Sequence, residues 1–199
     1  MVGNDVVDLV IAERESNWRR NGFLQKVFTK KEHDYISSFH KPALMVWLLW
    51  SMKESAYKIF VQENRVRLLA PLKFQCSIHT CFKGNFSGEV ISGKKSYFTF
   101  SKVSKDKIST TAYSDKITRV NSLSGGLKFS ESGDSSSGQE IISSFISNVS
   151  EFLNITPYDL FLKKDELNIP YLFYKGNHLK SSISLSHHGR YGAYSAEFL

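Results

Sequence analysis

Apolar and polar positions follow two different periods along the chain. In the first third, apolar residues recur every three or four positions, the spacing of one helix face. Thr29-Lys30-Lys31-Glu32 has the form of a capping box, in which a hydroxyl and a carboxylate satisfy each other's backbone donors. That predicts a short helix over about 30–39. Pro42 suits the first turn of a second helix, where a missing N–H leaves nothing unpaired, so a helix is predicted over about 42–62. Leu44, Leu48, Ser51, Ser55 and Ile59 would line one side of it. Trp47, Trp50, Glu54 and Lys58 would line an adjacent stripe, with the two tryptophans in the core.

After Pro71 the period changes to two. Leu72 to His79 alternates apolar and polar, as a half-buried strand does. Further strands are predicted at 89–91, 97–100 and 108–113, with Gly84, Gly88 and Gly93 as turns between them, giving an antiparallel meander. The segment 121–138 is rich in Ser and Gly and reads as a flexible linker. Beyond it, Ile141, Phe145, Ile146, Val149 and Phe152 form the apolar face of a helix over about 139–153. Short strands follow near 171–174, 182–186 and 191–198. The expected fold is α+β, as two similar lobes: 1–120, a linker over 121–138, and 139–199.

Composition narrows the class. With 199 residues and 41% hydrophobic positions the chain can bury a core, so disorder is excluded. The longest apolar run, Ala43 to Trp50, is far shorter than the ~20 residues of a membrane-spanning helix. The first eight residues carry Asp5 and Asp8 and no basic stretch, so they do not read as a secretory signal. Two cysteines exclude a disulfide scaffold and fit a reducing, cytoplasmic setting. Cys76, His79 and Cys81 offer three candidate zinc ligands at most, and strand alternation splits them between faces. The formal charge of +7 calls for an acidic partner, and residues 71–120 hold most of the excess, with nine basic and three acidic side chains.

Two segments carry candidate chemistry. Asp5 stands within an apolar stretch that should be a strand, and Glu54 and Lys58 lie one helical turn apart. The two carboxylates could converge on a hard cation such as magnesium, which prefers oxygen ligands, with the lysine facing a phosphate. On spacing alone, the favoured reading is Asp5 as a turn residue and Glu54–Lys58 as a solvated pair.

The segments Gly3-Asn4-Asp5, Phe28-Thr29-Lys30-Lys31-Glu32 and Trp50-Ser51-Met52-Lys53-Glu54-Ser55-Ala56-Tyr57-Lys58 resemble, in that order, those of 4′-phosphopantetheinyl transferases. Ser184-Leu185-Ser186-His187 is similar to that family's Ser-x-Ser-His segment. In the two-lobed type the Ser-His segment comes first, so the chain resembles a circular permutant with the motif order of holo-acyl-carrier-protein synthases. The resemblance implies two pseudo-symmetric lobes, each a small antiparallel sheet packed with helices, and one site per monomeric chain between them. It implies transfer of phosphopantetheine from coenzyme A to an acyl or peptidyl carrier protein, of fatty-acid or related biosynthesis. By the same resemblance Asp5 and Glu54 hold magnesium, Glu54 and Lys58 are catalytic, and Lys53, Lys58, Ser186 and His187 bind coenzyme A.

The match departs from the pattern at three positions. Asn4 replaces an aliphatic residue, Val7 stands where the two-lobed type often has a second acidic ligand, and Ile169 replaces a lysine before Pro170. These departures keep open a non-catalytic module that binds coenzyme A or a carrier. A basic RNA-binding protein, suggested by Tyr97-Phe98-Thr99-Phe100 among lysines, is a further alternative, although the strand lacks the glycine-flanked core of that motif.

Overall fold

The structure is a computed structural model that describes residues 1–115, 121–129 and 137–199. Strand β1 (Val2–Asp8) leads into helices α1 (Leu9–Glu15), α2 (Phe23–Val27), α3 (Lys30–Ser38) and α4 (Pro42–Asn64). The meander β2 (Gln75–Phe82), β3 (Asn85–Ser92), β4 (Lys95–Val103) and β5 (Lys107–Tyr113) follows. These strands form one antiparallel sheet in the order β1-β5-β4-β3-β2, so the first strand returns beside the last of the meander.

Helix α4 crosses the inner face of this sheet. It starts with Pro42 in its first turn, and the capping box of α3 closes as expected, with Thr29 and Glu32 bonding each other's backbone. Leu48, Leu49, Met52, Ala56 and Ile59 are almost fully buried, so the helix is apolar around much of its circumference, as a central helix must be. Close approach to the sheet rests on glycine. A Cβ on Gly3 would lie 2.1 Å from the Ser55 carbonyl oxygen. Gly88, expected in a turn, sits instead inside β3, where a Cβ would lie 2.5 Å from the Ser77 carbonyl oxygen and 2.8 Å from Met52 Cε. Tyr97 lies in the core and donates to Glu63, so the aromatic strand is not an open base-stacking face there.

The second half contains β6 (Ser122–Lys128), α5 (Ser137–Leu153), β7 (Leu160–Lys164), β8 (Pro170–Tyr174), β9 (Asn177–His178), β10 (Ser181–His188) and β11 (Tyr191–Phe198). Its sheets run β10-β11-β6 and β7-β8-β9. Ile141, Phe145 and Val149 bury the expected face of α5. The linker expectation fails over 122–128, which pair with β11 as a strand, while 130–136 lie outside the described residues. Gly125 is there for space: a Cβ would lie 2.4 Å from Tyr194 Oη, whose ring crosses that position.

The buried clusters separate by half. One spans Val7 to Ala112, another Ile141 to Ala196, and a small third joins Val6 with Tyr191 and Ala193. Between the halves β1 presents a sheet edge, whose outward backbone groups need partners. Side chains of β10 supply them. Ser182 Oγ accepts from Val2 N at 2.8 Å, Ser184 Oγ from Asn4 N at 2.9 Å and His188 Nδ1 from Asp8 N at 2.9 Å. The period-two serines of β10 therefore close the edge with hydroxyls instead of backbone. No described helix is long and apolar enough to cross a membrane.

Candidate active site

Glu54, Lys58 and Gln62 follow one another at helical spacing along the side of α4 that faces the second half. Lys58 Nζ donates to the Asn4 carbonyl oxygen at 2.6 Å and to the Leu185 carbonyl oxygen at 3.4 Å. It lies 3.8 Å from Asp5 Oδ1. Gln62 Nε2 donates to Val2 O at 2.9 Å, and its Oε1 accepts from Ser182 Oγ at 2.6 Å. The stripe therefore binds β1 and β10 at once.

Burial sets the electrostatics. It raises the Asp5 carboxyl against the pull of Lys58, and it lowers the Lys58 ammonium against the pull of Asp5 and Glu54. Burial, with the Asp5 charge beside it, pushes Glu54 up to about 7, with Lys58 opposing. A carboxylate poised there can accept a proton at neutral pH.

Glu54 and Lys58 border a cleft of about 410 Å³, whereas Asp5 lies behind Lys58 and does not line it. Glu54 and Lys58 line it from α4, and Ser184, Ser186 and His187 from β10. The side chain of Ser186 is buried and that of His187 exposed. Arg67, in the loop after α4, and Lys164, at the end of β7, also line it. Ile169 forms part of the same wall, so cations stand near the position where the resemblance expects a lysine. Neither Arg67 nor Lys164 sits in a pattern that marks it in the sequence. Gln62 is not among the sequence candidates, although it continues the Glu54–Lys58 stripe by one more turn, a signal that marks it.

One expected site residue lies elsewhere. Lys53 is 3% exposed and does not line the cleft. Its ammonium donates to Glu32 at 2.9 Å, Pro71 O at 3.0 Å and Phe74 O at 2.6 Å, which uses all three hydrogens. On α4 it points about 100° away from Glu54 into the core, so it is a buried tie and not a contact for coenzyme A. Asp8, adjacent to the motif, is likewise occupied. It caps α1 and receives a bidentate Arg190 guanidinium, with Nε at 2.7 Å from Oδ2 and Nη2 at 2.8 Å from Oδ1.

A hard cation fits the donor set that remains. Asp5 Oδ2 is buried with no hydrogen-bond partner, and it shares its surroundings with a second carboxylate, Glu54. Both features are costly without a counter-ion and would be relieved by a divalent ion. No cluster of three or more His, Cys, Asp or Glu among the described residues is placed to hold a metal. Asp5 and Glu54 are the two carboxylates that a hard cation here would draw on.

Residues 1–114 match the family model of the 4′-phosphopantetheinyl transferase superfamily. Comparison with curated proteins gives no match.

Proposed function

Because the chain belongs to the 4′-phosphopantetheinyl transferase superfamily, we propose that it moves the 4′-phosphopantetheine group from coenzyme A to a serine of an acyl or peptidyl carrier protein. The observation that carries this reading is the shared cleft. Glu54 and Lys58 on α4 face Ser186 and His187 on β10 across one space, with Arg67 and Lys164 at its wall. A cleft lined by these cations and hydroxyls suits a ligand with several phosphates.

Glu54, directly or through a water that it orients, takes the proton of the carrier serine hydroxyl. The serine oxygen forms a bond to the phosphorus that bears pantetheine, and the pyrophosphate P–O bond breaks. The electron pair leaves on the 5′-phosphate oxygen of adenosine 3′,5′-bisphosphate. Lys58 faces the charge that develops on that pyrophosphate. Asp5 and Glu54 would hold magnesium, which would supply charge neutralisation and polarisation of the attacked phosphorus.

An acidic carrier has a matching surface. A second hollow, of about 700 Å³, lies between α1 and the start of α4. Leu44, Trp47 and Val103 contribute apolar wall, with Arg14, Arg19 and Lys105 among its cations. The test is release of adenosine 3′,5′-bisphosphate from coenzyme A, read by chromatography, in the presence of an apo carrier and magnesium. Release that needs the carrier supports the reading, and no release with any carrier class overturns it.

A further inference from the structure

Asn4 is 2% exposed and makes three polar contacts that meet at the cleft. Its backbone N–H donates to Ser184 Oγ at 2.9 Å, its side-chain Nδ2 donates to Ser186 Oγ at 2.9 Å, and its carbonyl oxygen accepts from Lys58. Its own Oδ1 is buried with no partner. The amide therefore leaves one buried acceptor unsatisfied, and its one side-chain hydrogen bond among the described residues is to Ser186. Its effect falls on Ser186.

A hydroxyl has one hydrogen to donate and lone pairs to accept with. Where Nδ2 fills an acceptor direction on Ser186 Oγ, the serine hydrogen must point away from Asn4. No group among the described residues accepts that hydrogen, and Ser186 lines the cleft. Resting on the coenzyme A reading above, we infer that Asn4 is a positioning residue. It holds Ser186 as an acceptor on the buried side, so that the hydroxyl donates to an anionic phosphate oxygen on the cleft side.

The contact also links the halves, since it joins the residue preceding Asp5 to β10. It couples the placement of the candidate metal ligand to that of the phosphate donor.

The test is a double-mutant cycle on the full chain, with Asn4→Leu, Ser186→Ala and both together. Calorimetric titration with coenzyme A, and separately with inorganic pyrophosphate, gives the affinities, and thermal unfolding gives the stability. Asn4→Leu is expected to weaken binding roughly three- to tenfold, the effect of one hydrogen bond. It should change the melting temperature little, because the lost Ser186 hydrogen bond is offset by removal of an unpaired buried oxygen. In the Ser186→Ala background the same change should have no further effect on affinity. Equal weakening in both backgrounds, or unchanged affinity in Asn4→Leu, overturns the inference. Wild-type protein that binds pyrophosphate but not coenzyme A would sink the proposed activity, and the cycle read on pyrophosphate would still judge Asn4. Binding of neither would overturn both.

Discussion

Glu32 and Lys53 meet at 2.9 Å with both side chains buried, so the lysine next to the candidate base Glu54 is part of the framework. Glu32 also accepts from Thr29 N at 2.6 Å and from Cys76 N at 2.7 Å, which ties α3, α4 and β2 to one carboxylate. Removing one partner of a buried pair leaves an uncompensated charge and costs about 3–5 kcal/mol. Lys53→Met is therefore expected to lower unfolding stability by that order in denaturant titration. The folded fraction should keep wild-type affinity for coenzyme A. A stable Lys53→Met protein with weakened affinity would contradict this assignment.

The raised Glu54 carboxyl has a signature in metal-free protein. Its folded value, about 7, lies above its value of about 4.3 in an unfolded chain. The folded state therefore holds the proton more tightly. Its contribution to stability is full below about pH 4 and is lost as pH rises through about 7. In Glu54→Gln that loss should vanish, so the variant should unfold at higher denaturant than wild type at pH 8. Denaturant midpoints across pH check this. Equal pH slopes in the two proteins would count against the burial of Glu54 beside Asp5.

Asp8 behaves in the opposite sense. Burial alone would raise it, but the Arg190 hydrogen bonds outweigh burial and hold it well below the usual carboxylate range. Its stabilisation is present above the ordinary value of about 4 and is lost as pH falls below that. Arg190→Ala is expected to destabilise the neutral protein, because the buried Asp8 carboxylate loses its bidentate partner. The deficit should shrink below about pH 4, where an unfolded chain protonates its aspartates. A deficit that stays constant with pH would show that Arg190 acts through packing.

Gly3 gives a steric prediction. Its Cβ would overlap the Ser55 carbonyl oxygen of α4, and backbone on both sides cannot yield cheaply. Gly3→Ala is expected to cost about 1–3 kcal/mol or more and to move Asp5 relative to Glu54. Loss of divalent-ion affinity beyond the loss of stability, measured with manganese, would show that displacement. Wild-type stability in Gly3→Ala would contradict the close approach.

Local chemistry made much of this molecule legible in the sequence. The capping box placed α3, Pro42 placed α4, and alternation placed the strands of the meander, because each is set by neighbours in the chain. The residues 122–128 were misread because serine and glycine signal flexibility when the partner strand is unseen. Gly125 is small to admit Tyr194, a contact 69 residues away that no local pattern reports. Lys53 was misplaced for a related reason. Adjacent helix positions point about 100° apart, and only the tertiary partner Glu32 shows which side is core. The stripe of Glu54 and Lys58 was readable, whereas Arg67 reaches the cleft from the loop after α4 and Lys164 from the end of β7, placements that tertiary packing sets.

The central claim is transfer to a carrier serine, and the intact mass of an apo carrier protein tests it most directly. Fatty-acid, polyketide and peptide-synthetase carriers would each be incubated with coenzyme A and the full chain, with and without magnesium. At least one carrier is expected to gain the mass of a single phosphopantetheine group, only when magnesium is present. No gain is expected with Glu54→Gln, although that variant still folds. No mass gain on any carrier, from wild-type protein that binds coenzyme A, would contradict the account and leave a binding module of the same fold.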